Sequence, residues 1–324
     1  MKVLILGGTH FLGRHLVESA LRRGHRVTLF NRGLTAPGLF SGVEEIYGDR
    51  DGSLVALNGR SWDVAIDTSG YVPRVVRASA EFLRPHVGRY VFVSSISVYA
   101  NFDKEGMDEE FPVGQLADAA IEDVQAFYGP LKALSEGAVQ SVYGSDSFIV
   151  RPGLIVGPHD PTDRFTYWVR RFARGGNVLV PGTPDRRVQF IDARDLADWM
   201  MRGTESGLAG IYNVTGPSQP LTMGQLVMTL QSAIPSSGRP VWVNENFLVQ
   251  HHVAEWSELP LWTTGLPGFM AIGIQGALRA GLEFRPLVET IRDTWEWDRA
   301  RIAPMKAGME PQREDALLAE WSRR

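Results

Sequence analysis

Tyr128 and Lys132 stand four residues apart in the segment Tyr128-Gly129-Pro130-Leu131-Lys132. Four residues make about one helical turn, so a phenol and an ammonium would share one helix face. A phenol holds its proton to about pH 10, and a nearby cation favours the phenolate. The pair therefore suits proton exchange near neutrality, although the same spacing also arises for structural reasons alone. Its neighbours give it meaning. Ser94-Ser95-Ile96-Ser97-Val98-Tyr99 follows the apolar run from Tyr90 to Val93. Ser95 could hydrogen-bond a substrate oxygen and orient it; the plainer alternative is a run of small polar turn residues.

A second constellation lies at the start of the chain. Val3–Leu6 is an apolar run that ends in Gly7-Gly8-Thr9-His10-Phe11-Leu12-Gly13. A pyrophosphate needs close backbone approach and unpaired amide donors, which a glycine turn opening a helix supplies. The context of strand, glycine turn and helix points to a dinucleotide. Sites for NAD commonly place an acid at the end of the second strand, for the ribose hydroxyls. Here Asn31-Arg32 follows Phe30. Arg32 could pair with a 2′-phosphate, so the reading favours NADP, with NAD as the alternative. His10, in place of the usual middle glycine, is a further potential phosphate donor. The other reading leaves Arg32 solvated. Asp49-Arg50 follows the third predicted strand, where Asp49 is either an adenine contact or a plain turn residue.

The elements that must position these residues alternate. Val3–Leu6, Arg26–Phe30, Val43–Ile46, Val64–Ile66, Tyr90–Val93 and Phe148–Val150 read as strands, and Phe11–Arg23, Arg74–Leu83 and Gln125–Val142 as helices. The pattern predicts an α/β fold: a doubly wound parallel Rossmann sheet with a smaller C-terminal substrate-binding domain. Residues 1–157 plus about 187–215 are assigned to the dinucleotide-binding domain. Residues 158–186 plus 216–324, richer in Gly, Pro and Trp, form the cap and tail.

The chain has 324 residues, 44% of them hydrophobic and 22% charged, with a net charge of −4. That balance argues against a nucleic-acid or membrane partner. No cysteine is present, which removes thiolate nucleophiles and Cys-ligated metals. The histidines are scattered among unclustered carboxylates, so no metal site is expected. The apolar N-terminus is too short to span a bilayer and lacks a signal-peptide cleavage site, which gives a cytoplasmic expectation.

The segments LILGGTHFLG, VFVSSISVY, YGPLK, RPGLIVGPHD and VQFIDARDLA resemble the extended short-chain dehydrogenase/reductase superfamily, labelled NAD-dependent epimerase/dehydratase. The resemblance spans most of residues 1–215 and is weak beyond; His10 departs from the extended pattern toward an atypical subgroup. It implies Ser95, Tyr128 and Lys132 as the catalytic set. It implies cofactor contacts from Gly7–Gly13, Asn31, Arg32, Asp49, Arg50, Thr68, Ser69, Gly70, Ser94, Arg151 and Pro152, besides Tyr128 and Lys132 themselves. In the family, members that dehydrate sugar nucleotides carry an Asp-Glu pair after the catalytic Ser/Thr. Ile96 and Ser97 stand there, which argues against that chemistry. Two reactions remain: NADPH-dependent reduction of a ketone to a secondary alcohol, favoured here, and NAD-dependent epimerisation of a nucleotide sugar. A third possibility is a relative that senses dinucleotide or associates with RNA without catalysis, but that reading expects loss of the Ser, Tyr or Lys.

For the small-molecule substrate, Ser95, Tyr71, His159, Arg164 and Tyr167 are the candidate contacts, with Arg164 suited to an anionic group. Arg164 could instead pair with Asp160 or Asp163, and Trp168 and Trp262 read as core. The resemblance also implies a homodimer through the second and third predicted helices. The latter carries the stripe Leu131, Leu134, Ala138 and Val142, which could equally face its own sheet.

Overall fold

The structure is a computed structural model and describes residues 1–235 and 238–324. The chain forms two compact units. The first comprises Met1–Gly153, Ala193–Thr215 and Ile272–Glu283; the second, Leu154–Asp192, Gly216–Ala271 and Phe284–Arg324. Relative to the sequence division, residues 154–157 and 187–192 fall in the second unit and 272–283 in the first.

The first unit opens with β1 (Lys2–Leu6), α1 (Leu12–Arg22), β2 (Arg26–Asn31), β3 (Glu44–Tyr47), β4 (Trp62–Asp67), α2 (Pro73–Leu83), β5 (Val87–Val93), α3 (Val124–Tyr143) and β6 (Ser147–Pro152). The chain then contributes β7 (Leu154–Val156), α4 (Thr166–Arg174), β8 (Asn177–Pro181), β9 (Arg187–Val188) and β10 (Phe190–Asp192) to the second unit. It returns to the first for α5 (Ala193–Glu205) and β11 (Gly210–Val214). In the second again come β12 (Leu221–Thr222), α6 (Met223–Ala233), β13 (Arg239–Val243) and α7 (Glu245–Gln250). Helix α8 (Gln275–Arg279) belongs to the first unit, α9 (Leu287–Asp298) and α10 (Pro311–Trp321) to the second.

The seven-stranded sheet of the first unit has the order β11-β6-β5-β4-β1-β2-β3, with every neighbouring pair parallel. Its central strands are near-continuous apolar runs, as strands covered on both faces must be. Register fixes what matters for a site. Leu6 pairs with both Phe30 and Asp67, Asp67 with Phe92, and Val93 with Val150. The residues that follow these positions, Gly7, Asn31, Thr68, Ser94 and Arg151, therefore leave the sheet along one carboxyl edge. The strand order reverses between β1 and β4, the place where such sheets open a crevice.

Helix α3 turns part of its apolar stripe inward. Leu131 and Ala138 are buried, whereas Leu134 is 37% exposed. The second unit has its own core, in which Trp168, Phe172, Trp262 and Ile291 are fully buried.

Candidate active site

The turn after β1 is shaped by its glycines. Gly7 and Gly8 hold φ of 109° and 101°, a region that side chains with a β-carbon rarely enter. Gly7 also donates its N–H to the Phe30 carbonyl at 2.9 Å, tying the turn to β2. Gly13 lies in the first turn of α1, and a β-carbon there would stand 2.8 Å from the Gly8 nitrogen, so only glycine lets helix and turn meet. Thr9 and Leu12 are buried, Phe11 is the residue preceding α1, and His10 is exposed at the tip of the turn.

At the end of β2, Asn31 Oδ1 accepts the Gly33 N–H at 2.7 Å, while its Nδ2 is buried with no partner. An orphaned buried amide donor next to a glycine turn suits a ribose hydroxyl, and the arrangement fits a dinucleotide. Arg32 is exposed beside it. Asp49 is exposed too, and its carboxylate accepts the Asp51 N–H at 3.0 Å, the geometry of an ordinary Asx turn.

Arg50 stands elsewhere than expected. Its guanidinium holds both oxygens of the fully buried Asp67 at 2.6 and 2.8 Å and donates to Ser79 Oγ, which leaves it anchoring the protein interior. Asp67 also accepts the Tyr90 hydroxyl at 2.8 Å and the Ser69 N–H at 3.0 Å. The Arg50 cation holds the Asp67 carboxyl below its usual range against the opposing push of burial. Thr68 and Ser69 direct their hydroxyls to the Leu6 carbonyl at 3.0 and 3.3 Å, which stitches this loop to β1.

Lys132 is buried, and its Nζ donates to the carbonyls of Gly70 and Val93, each at 2.6 Å. The ammonium lies 4.2 Å from the centre of the Phe92 ring. Burial pulls it down to about 7, against the pull of Asp67 and Glu136 in the other direction. One turn earlier, Tyr128 is half-buried, with the Ser95 side chain near enough to favour its phenolate slightly, against burial. Its phenol is pushed up to about 12, first by burial and then by Tyr71, whose ring centre lies 6.4 Å away. The Lys132 ammonium is turned onto two carbonyls, and burial is the largest influence on the phenol. Ser95 caps the short turn that follows it. Its Oγ accepts the Ser97 N–H at 3.1 Å.

The local sequence explains how the phenol reaches the serine. Asp123 caps α3 by accepting from the N–H groups of Gln125 and Ala126 at 3.0 and 3.1 Å. Pro130 has no N–H and its ring crowds the carbonyl four residues back, and Phe127 leaves helical geometry at φ −127°, ψ 31°. The helix kinks beside Tyr128. A β-carbon at Gly129 would collide with the Ser97 carbonyl, so glycine permits the close approach of α3 to the Ser95 turn.

Behind these groups lies an ion pair. Arg151 meets Glu136 through two hydrogen bonds of 2.9 and 2.7 Å, both residues 3% exposed. Glu136 also accepts the Ser94 hydroxyl at 2.5 Å. Arg151 and Ser94, expected beside the cofactor, thus have their side chains committed to the interior, and Pro152 is buried in β6. Sequence reasoning missed Glu136 and the partnership of Asp67. The signal for Glu136 was available: an acid one turn beyond Lys132 on the buried face of a helix needs a cation.

Of the expected substrate contacts, Tyr71 is 46% exposed in the first unit, while His159, Arg164 and Tyr167 belong to the second. Tyr167 is 5% exposed, packed edge-on to Trp168 and against Gly308; it is a core residue with no face turned to a ligand. His159 packs edge-on to Trp297, with ring centres 5.5 Å apart. Trp168 and Trp262 are fully buried in the same core.

Residues 58–215 match the model of the NAD dependent epimerase/dehydratase family. That stretch of the chain is similar to the family. The fold is the Rossmann-like α/β fold of short-chain dehydrogenase structures. Among curated relatives, it is similar to a 2-alkyl-3-oxoalkanoate reductase of Stenotrophomonas maltophilia, 29% identical over 72% of this chain and 76% of that protein. It is also similar to the chloroplast stem-loop binding protein of 41 kDa b of Arabidopsis thaliana, 28% identical over 66% of this chain. The match spans 58% of that relative's length. Among solved structures, UDP-glucuronic acid 4-epimerase from Bacillus cereus in complex with NAD superposes with a TM-score of 0.68 at 14% identity, covering 92% of this chain and 96% of the other.

Proposed function

We propose that this protein is an NADPH-dependent reductase that converts a ketone to a secondary alcohol. The observation that carries the reading is the close approach of α3 at Gly129 to the Ser95 turn, which brings Tyr128 beside Ser95, with Lys132 anchored one turn further along α3. The dinucleotide would be held by the Gly7–Gly13 turn, Asn31 and Lys132, with Arg32 placed to favour a 2′-phosphate. A reduced nicotinamide, when bound, supplies a hydride. Tyr128 enters the reaction as a neutral phenol, since burial holds its proton. It can therefore donate that proton to a carbonyl oxygen as negative charge develops there, while the Ser95 hydroxyl orients the same oxygen. The phenolate left behind regains a proton from solvent. Lys132 positions this helix turn by gripping the Gly70 and Val93 carbonyls.

Epimerisation with NAD is the second reading, favoured by the structural likeness to an epimerase bound to that cofactor. Mass spectrometry of cofactor released from the purified protein separates the two. Tightly held NAD supports the epimerase; an empty site that binds NADPH more tightly than NADH supports the reductase. Tyr128→Phe should lower kcat by about 10²–10⁴-fold, the worth of a general acid, with dinucleotide affinity unchanged. Retained turnover in that variant would overturn the assignment of Tyr128.

A further inference from the structure

We propose that the second unit carries an oxyanion site of its own, a cleft in which Arg164 and Lys306 hold a phosphate or carboxylate group. The cleft encloses about 300 Å³ and is lined by Pro161, Thr162, Arg164, Trp256, Ser257 and Lys306, together with Ala307. That volume suits a small ligand or one end of a larger one. Two cations and two hydroxyls line it, and no acid does.

The state of Arg164 points to a missing partner. It is half-buried, with its guanidinium carbon 5.1 Å from the centre of the Trp256 ring. Among the described residues no carboxylate hydrogen-bonds it, whereas three neighbouring arginines of this unit are matched. Arg170 pairs with Asp298 at 2.7 Å, Arg171 with Glu314 at 2.6 Å and Arg301 with Asp163 at 2.6 Å. The two acids closest in sequence are both engaged. Asp163 is held by Arg301 and by the Lys306 backbone N–H at 2.9 Å. Asp160 gives Oδ1 to the Thr162 N–H and hydroxyl, both at 2.8 Å. Burial pushes the Asp160 carboxyl up to about 6; its charge acts on Arg164 across space, but no hydrogen bond joins the two. A partly desolvated guanidinium without a hydrogen-bonded anion is costly, and a planar oxyanion matches its fork of donors. Lys306 adds a second, exposed cation to the same cleft, and Ser257 holds only a long 3.4 Å contact to the Glu255 carbonyl, leaving its hydroxyl able to turn.

The site is independent of hydride transfer and stands or falls on binding. Isothermal titration of the full-length protein with inorganic phosphate, and separately with acetate, tests it. Saturable binding in the millimolar range is expected for at least one probe, and the one that binds identifies the group. Arg164→Gln should weaken it about tenfold, the worth of a charge-assisted hydrogen bond at a half-exposed site, and Lys306→Gln severalfold. Arg164→Lys, which keeps the charge but not the fork, should fall between wild type and Arg164→Gln. Phosphate bound at the Gly7–Gly13 turn would be indifferent to all three substitutions, so it cannot imitate this result. If Arg164→Gln does not fold, Lys306→Gln and Arg164→Lys carry the same comparison. Absence of saturation by either probe below about 10 mM, or wild-type affinity in the variants, overturns the proposal.

Discussion

Lys132 is both cationic by nature and stripped of water. In the unfolded chain its ammonium titrates near 10.5, while in the fold burial brings it down to about 7. Between those values the unfolded chain binds more protons, so stability rises with pH from about 7 toward 10.5. Tyr128 acts at higher pH and with the opposite sign. Its raised pKa favours the fold below about 10, and that advantage is lost as pH climbs toward 12. Urea denaturation at about pH 7 and pH 9.5 should therefore show a rise in midpoint for the wild type that is absent, or much smaller, in Lys132→Met. An equal rise in both proteins would mean that the Lys132 ammonium is not desolvated in solution. The same scale holds the ion pair of Arg50 and Asp67. Asp67→Asn leaves a mostly buried guanidinium without its counter-charge and should cost about 3 kcal/mol by chemical denaturation. Arg50→Met combined with Asp67→Asn should recover part of that loss, a coupling that a double-mutant cycle measures.

Helix α3 makes the site by being imperfect. Pro130 and Phe127 break its first turns, and Gly129 lets the broken turn lie against the Ser95 loop. Gly129→Ala should destabilise the protein by about 1–3 kcal/mol, as overpacking does, and should lower kcat by more than the loss of folded protein explains. Calorimetry beside steady-state kinetics checks both; full activity in a stable Gly129→Ala protein would show that the contact is not needed. Much of this was legible beforehand. The glycine turn, the Tyr–Lys spacing and the serine run are local patterns, and strands such as β1 and β5 declare themselves by apolar runs. What stayed hidden was long-range. Arg50 lies 17 residues from Asp67, and Arg151 15 from Glu136, and only the fold closes those distances. Desolvation is equally non-local, which is why Tyr128 was expected to be easily ionised and is instead held neutral.

At the scale of the whole chain, the first unit is assembled from three separate stretches. Strand β11 completes the sheet on β6, and α5 covers α1, yet both come after the excursion into the second unit. A fragment ending at Gly153 lacks both, which leaves one hydrogen-bonding edge of β6 unpaired and uncovers α1 where α5 packs on it. It should show helical circular dichroism, weak near-ultraviolet signal and binding of a hydrophobic dye, unlike the full chain. A cooperative, dye-free fragment would show that the later stretches are dispensable. Sequence reasoning saw the return of 193–215 because the helix and strand carry plain apolar patterns, but not that of 272–283, whose single short helix α8 is too brief to signal its home.

The outer strand β3 has a further consequence. It has four residues and carries Glu44 and Glu45, of which Glu44 is paired with Arg60 at 2.6 Å and Glu45 accepts the Gly38 N–H at 3.0 Å. A growing fibril needs a long, flat, uncharged rim to which a foreign strand can add. This rim is short and acidic, so that edge of the sheet is poorly suited to recruiting copies of itself when crowded.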